Sequence, residues 1–184
     1  MEKVTLTELL TKDITNKVIC FPTDTVYGVG AKVSDKVAID KIYEMKKRDY
    51  SKPLAILTPN KNIDKYVVPT NSEAYKLMED GWPGALTLIF KKSDIISYDI
   101  TSGLDTVAFR MPDSKIALAI LNHFGPLATT SVNISGMPPL NDIETIEKEF
   151  SEYIDYLVID KQDLKGKPSK IIDVSTDSIK VIRN

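Results

Sequence analysis

The chain has 184 residues, about one domain's worth, enough to bury roughly 70% of the surface that its unfolded form exposes. Apolar residues make up 42% and charged residues 27%, which excludes a disordered chain and fits an ordinary globular domain. A net charge of −2, one cysteine and one histidine argue against a surface that binds nucleic acid all over, and exclude an intramolecular disulfide and a thiolate zinc site.

No signal peptide opens the chain and no apolar run approaches the ~20 residues of a membrane span, so the expected compartment is the cytoplasm. Thr5-Leu6-Thr7-Glu8 has capping-box spacing and predicts a short helix to about Lys12. Val18 to Phe21 reads as a buried strand stopped by Pro22, followed by the hydroxyl-rich turn Thr23-Asp24-Thr25 and an extended run from Val26 to Ala31. Ser34 or Asp35 can cap a helix that gathers Val37, Ala38, Ile42 and Met45, with Ile39 and Tyr43 beside them, on one side. That helix ends in the basic stretch from Lys46 to Lys52.

Strands are predicted at 54–57, 85–90 and 106–110, with one or two helices over 60–80 and a polar loop holding Thr101-Ser102-Gly103. A helix over 113–124, a strand at 127–131, an irregular loop over 133–139 and a helix near 142–150 come next. Strands near 156–160, 170–175 and 178–183 complete the chain. Helices and strands alternate at the front and strands cluster at the end, which predicts an α/β domain with a mixed twisted sheet covered by helices.

Cys20 lies in the apolar run Val18-Ile19-Cys20-Phe21 and reads as a small buried hydrophobe. His123 reads as a helix-end residue. Gly28-Val29-Gly30 lacks the third glycine of a dinucleotide fingerprint, and no glycine-rich stretch ends in Gly-Lys-Ser/Thr. The basic stretch has two readings: a solvated helix end that complements the macrodipole, or an anion site. Hydroxyl and amide clusters recur at strand ends, at Thr23/Thr25, Thr106, Ser131/Asn133 and Ser169, together with Arg48, Lys52, Arg110 and Arg183. Each alone reads as a cap or turn residue; as a set they suit carboxylate and polyanion recognition.

Six ordered motifs resemble the threonylcarbamoyl-AMP synthase family, also called TsaC or YrdC. They are Phe21-Pro22-Thr23-Asp24-Thr25-Val26-Tyr27-Gly28-Val29-Gly30; Lys46-Lys47-Arg48 with Lys52-Pro53-Leu54; Trp82-Pro83-Gly84; Arg110-Met111-Pro112; Thr130-Ser131-Val132-Asn133-Ile134-Ser135-Gly136; and Pro168-Ser169 with Ile172-Asp173. The match is collinear from about residue 18 to 183 and is to the short, single-domain form.

The resemblance implies a YrdC-type fold with a central cleft over residues 1–184. It implies that L-threonine, bicarbonate and ATP give threonylcarbamoyl-adenylate and pyrophosphate, the product passing to a complex that modifies tRNA. It implies Lys46 and Arg48 as catalytic cations. Arg48, Lys52, Thr106, Asn133, Asn141 and Arg183 are implied around ATP, Thr25, Arg110, Ser131 and Ser169 around threonine, and Mg²⁺ as carried by ATP. Departures from the family pattern fall at Asp49, Leu57, Asn141 and Lys170, and Arg183 is next to last. The alternatives are a YciO-like paralogue of weak or different activity, and an RNA-binding module of the same fold.

Overall fold

The computed structural model describes residues 1–184, apart from the side chains of Tyr98 and Asp99. Helices begin where a side chain can accept the free N–H groups of a first turn. Thr5 and Glu8 form the anticipated capping box, Thr5 N donating to Glu8 Oε2 at 2.7 Å, and open α1 (Leu6–Leu9) just after β1 (Glu2–Val4). β2 (Ile19–Pro22) and β3 (Tyr27–Lys32) pair antiparallel across the Thr23 turn. Asp35 caps α2 (Lys36–Lys46) by accepting from Ala38 N at 3.1 Å.

β4 (Ala55–Leu57), α3 (Ser72–Gly81, capped by Asn71), β5 (Leu86–Lys91), α4 (Tyr98–Thr101) and β6 (Thr106–Arg110) follow. After them come α5 (Lys115–Phe124, capped by Ser114), β7 (Leu127–Ser131), α6 (Ile143–Phe150, capped by Asp142), β8 (Tyr156–Val158), β9 (Lys170–Asp173) and β10 (Lys180–Arg183).

The strands form one ten-stranded mixed sheet in the order β1-β8-β2-β3-β7-β4-β6-β5-β9-β10. β8 runs parallel to both β1 and β2, β4 parallel to β6, and β5 parallel to β9; the other pairs are antiparallel. Alternation along each strand sends successive side chains to opposite faces. One face buries Val29, Ile56, Leu88, Phe109 and Ala128 under α2, α3 and α6, through Ile42, Met45, Met78, Ile146 and Phe150. The other buries Ile19, Phe21, Leu57, Leu127 and Val158 under α1 and α5, through Leu9, Ile116, Ile120 and Leu121. α1 and α5 cover only that end of the second face. Along β6, β5 and β9 the same face carries Ala108 and Arg110, Thr87 and Ile89, and Ile171, and these floor an open cleft.

Four expectations differ. Residues 2–4 form a strand, because parallel pairing with β8 supplies partners that a three-residue segment does not advertise. The helix expected from residue 60 starts only at Ser72; before it the chain is irregular, with Ile63 and Val67 buried and Val67 bridging Lys92. The polar loop near Thr101 contains α4. Val37, expected with Ala38, Ile42 and Met45 on the packed side of its helix, is 55% exposed.

Candidate active site

At one end of the cleft the turn Trp82-Pro83-Gly84 meets the end of β6. Trp82 Nε1 donates to Leu86 O at 2.7 Å and Gly84 N to Met111 O at 2.8 Å. A Cβ on Gly84 would stand 2.6 Å from Gly81 O, so only glycine fits this close approach. Gly84 O then accepts from Arg110 Nε at 2.9 Å. Arg110 Nη1 donates to Thr25 Oγ1 at 2.8 Å, and Nη2 to Asp24 Oδ1. Arg110 and Asp24 are both buried. Burial lowers the Arg110 pKa, and the neighbouring Asp24 carboxylate opposes that fall. Leu57, the departure near the expected threonine position, pairs with Arg110 in the β4–β6 register and lines the cleft.

A second wall is made by the end of α2. Lys47 adopts the left-handed conformation (φ 47°), and Arg48 N donates to Tyr43 O at 3.0 Å, as in a Schellman turn. The turn carries Arg48 back toward the sheet, where Nε donates to Lys52 O at 2.9 Å and Nη2 to Pro53 O at 3.0 Å. Its remaining N–H groups are uncommitted to those carbonyls.

Lys46, one residue before the turn, is 1% exposed. Its Nζ donates to Ser131 O at 2.6 Å, Asn133 O at 3.0 Å and Asn133 Oδ1 at 2.8 Å. Asn133 Nδ2 passes the constraint on to Ile134 O at 2.9 Å and Met137 O at 2.6 Å. Burial, with Arg48 nearby, pushes the Lys46 pKa down to about 7. Lys46 thus pins the Ser131-x-Asn133 loop to α2.

The third wall comes from the last strands. Thr87 Oγ1 and Ser169 Oγ share a buried hydrogen bond of 2.7 Å. Arg183 clasps Ser169 O through Nε at 2.9 Å and Nη2 at 2.7 Å. The cleft enclosed by these walls has a volume of about 450 Å³.

Of the residues singled out from sequence, Thr25, Lys46, Arg48, Arg110, Ser131, Asn133, Ser169 and Arg183 line it together. Lys52, Thr106 and Asn141 stand outside the lining. Lys52 is exposed and offers its carbonyl to Arg48, Thr106 begins β6, and Asn141 Oδ1 accepts from Tyr27 N at 3.1 Å. Sequence reading passed over Thr87, Ile89, Ala108 and Thr129, which also line the cleft. Their signal is alternation: short or polar residues at every second position of neighbouring strands. Cys20 is buried, which raises its thiol pKa, and His123 is exposed against Phe124; neither lines the cleft.

A mixed sheet with one partly bare face, walled by two guanidiniums anchored on main-chain carbonyls, by paired hydroxyls and by Arg110, defines an α/β protein with a cation-lined cleft, a donor set that suits anions. The family model described as "Telomere recombination", covering the Sua5, YciO and YrdC proteins, matches residues 14–184, and the chain belongs to that family. It is 44% identical over 126 residues to the threonylcarbamoyl-AMP synthase of Bacillus subtilis, covering 67% of this chain and 36% of the relative. A Methanocaldococcus jannaschii protein that bears the same name in provisional form is 38% identical, covering 99% of this chain and 86% of the relative.

Among solved structures, Pyrococcus abyssi Sua5 complexed with L-threonine superposes with a TM-score of 0.84 at 34% identity, covering 91% of this chain and 50% of that one. Escherichia coli YciO gives 0.86 at 25% identity, covering 97% and 88%. The chain therefore spans little more than a third of the Bacillus relative and half of the Pyrococcus one. Among the described residues no helix is long and apolar enough to cross a membrane.

Proposed function

We propose that the chain is an L-threonylcarbamoyladenylate synthase, a nucleotidyltransferase that joins L-threonine, bicarbonate and ATP and releases pyrophosphate. The observation that carries this reading is the single cleft lined by Arg110 and Thr25 together with Arg48, Ser131 and Asn133. Such a cleft suits a small carboxylate and a triphosphate that must meet. Relatives bearing the synthase name support it.

In this reading Arg110 anchors the threonine carboxylate, with Thr25, Ser131 and Ser169 supplying hydroxyls. Arg48, Asn133 and Arg183 face ATP, and Lys52, Thr106 and Asn141 take its outer rim. The amine of threonine adds to bicarbonate, with loss of water, to give an N-carboxy species. A carboxylate oxygen of that species attacks the α-phosphorus, and the bond to pyrophosphate breaks. Two anions must approach, so fixed cations are the main requirement.

Arg48 is held by two carbonyls before the reaction begins and needs no reorganisation to meet the charge growing on pyrophosphate. Lys46 acts by fixing the loop that carries Ser131 and Asn133. In this reading Mg²⁺ arrives on the triphosphate, where it would neutralise phosphate charge. The product would pass to a complex that modifies tRNA.

The test is pyrophosphate release from ATP with threonine and bicarbonate omitted in turn. Release should need both; release indifferent to threonine, or none, sinks the assignment. Arg48→Ala should lower turnover by about 100-fold, the scale of losing one charged stabiliser, with an unchanged circular dichroism spectrum. The likeness to YciO over 97% of the chain favours a second reading, a YciO-like paralogue that binds anions but whose synthase activity is weak or different. ATP and threonine binding without pyrophosphate release would select it. A third, RNA binding through the basic rim, predicts retention that collapses with added salt.

A further inference from the structure

Asp24 is 5% exposed, and its Oδ2 is a buried side-chain oxygen with no hydrogen-bond partner. Lys165 Nζ stands 3.8 Å from that oxygen, on a side chain 60% exposed. Lys165 sits on the segment between β8 and β9, which is laid across the Thr23 turn by two main-chain bonds. Lys165 N donates to Asp24 O at 3.0 Å and Gly166 N to Thr25 O at 2.8 Å. Gly166 has φ 73°, a left-handed conformation that suits glycine. The backbone path therefore keeps the Lys165 main chain beside Asp24.

Consider what Asp24 does to Arg110. Gly84 O, Thr25 Oγ1 and Asp24 Oδ1 take one N–H each from Nε, Nη1 and Nη2. A guanidinium held at three corners cannot swing, and one N–H is left on each terminal nitrogen. Two N–H groups on adjacent nitrogens match the two oxygens of a carboxylate. The same contact has an electrostatic cost, since a paired Asp24 and Arg110 carry no net charge and attract an anion weakly. Lys165 beside Oδ2 returns the cluster to a net positive charge.

We infer that Asp24 is a positioning residue that aims Arg110 at the substrate carboxylate, and that Lys165 is the counter-charge that keeps the Asp24–Arg110 pair attractive to an anion. This rests on the assignment of Arg110 to the threonine carboxylate. It names two residues outside the expected binding set and ties the segment between β8 and β9 to amino-acid recognition.

A double-mutant cycle tests it, read by calorimetric titration of L-threonine and by turnover. Lys165→Ala, at an exposed side chain, should weaken L-threonine about fivefold at low salt, within the range of a partly exposed pair. ATP affinity and kcat should hold, and the effect should shrink as salt rises. Asp24→Ala removes the acceptor and frees the guanidinium, and should lower kcat about 100-fold, the scale of a lost alignment, with a smaller change in threonine KM. In the Asp24→Ala background the Lys165→Ala step should weaken threonine less than in the wild type, because the guanidinium is no longer aimed at the carboxylate and no Asp24 charge is left to balance.

An unchanged threonine affinity in Lys165→Ala overturns the inference, as does an equal loss of ATP affinity or full additivity in the cycle. Should Asp24→Ala fail to fold, the salt dependence of Lys165→Ala and its selectivity for threonine over ATP still decide the matter. Wild-type protein that binds no L-threonine would instead overturn the proposed function.

Discussion

Lys46 is a buried ammonium whose hydrogen-bond partners are all amide oxygens, from Ser131 and Asn133. Only the charged form has three N–H groups to give, so loss of the proton strips one oxygen of its donor. With the pKa pushed down to about 7, the three-bonded form dominates below that value. The loop over 131–139 should therefore loosen as pH rises through about 7, and the KM for ATP should increase over a unit or so either side. Lys46→Met should remove that inflection and leave a uniformly weaker enzyme; an ATP KM flat across this range in the wild type would contradict the loop-clamp role.

Stability follows the opposite sign. Between about 7 and the ordinary value of 10.5 the unfolded chain holds a proton that the folded chain has shed. This group's contribution to stability therefore rises with pH through that window. The difference in unfolding free energy between wild type and Lys46→Met should change in that direction.

The elements differ in how openly their sequences declare them. α2 was legible because Asp35 caps it and Ile42 and Met45 recur at helical spacing, and its basic end was legible as charge. Its termination was not, because Lys47 takes a left-handed conformation that costs a non-glycine residue about 1 kcal/mol and is tolerated only as part of the Schellman turn. Lys47→Gly should accordingly stabilise the fold by about 0.5 kcal/mol after the entropy of glycine is counted, seen as a higher urea midpoint with unchanged turnover.

β1 was illegible for a different reason, since its partner β8 lies more than 150 residues along and no local signal marks a strand of three. The cleft was legible where motifs gather charged and hydroxyl groups, as at Arg48 and Ser131. It was illegible at Thr87 and Ala108, which matter only because four strands bring alternate residues to one face.

At the scale of the molecule, the cleft draws its lining from β3, β4, β5, β6, β7, β9 and β10 and from the turn after β2. A ligand held there should stabilise the whole domain. ATP at about 100 times its Kd should add about 2.7 kcal/mol to the unfolding free energy, measured as one cooperative transition moved to higher temperature. Two separating transitions on ATP addition would show that the walls unfold independently.

The place of β7 gives that expectation a kinetic edge. β1, β8, β2 and β3 lie to one side of it and β4, β6, β5, β9 and β10 to the other; within the sheet Leu127–Ser131 joins them, and Arg110 bonds across to Asp24 and Thr25. During folding each half can zip up alone, yet neither holds a complete cleft until this strand slots between them. Insertion of β7 should thus be the step at which the chain first acquires affinity for its ligands, and a late one, because the pairings it completes are non-local. An ATP-dependent signal in a refolding experiment would time the closure of the keystone strand.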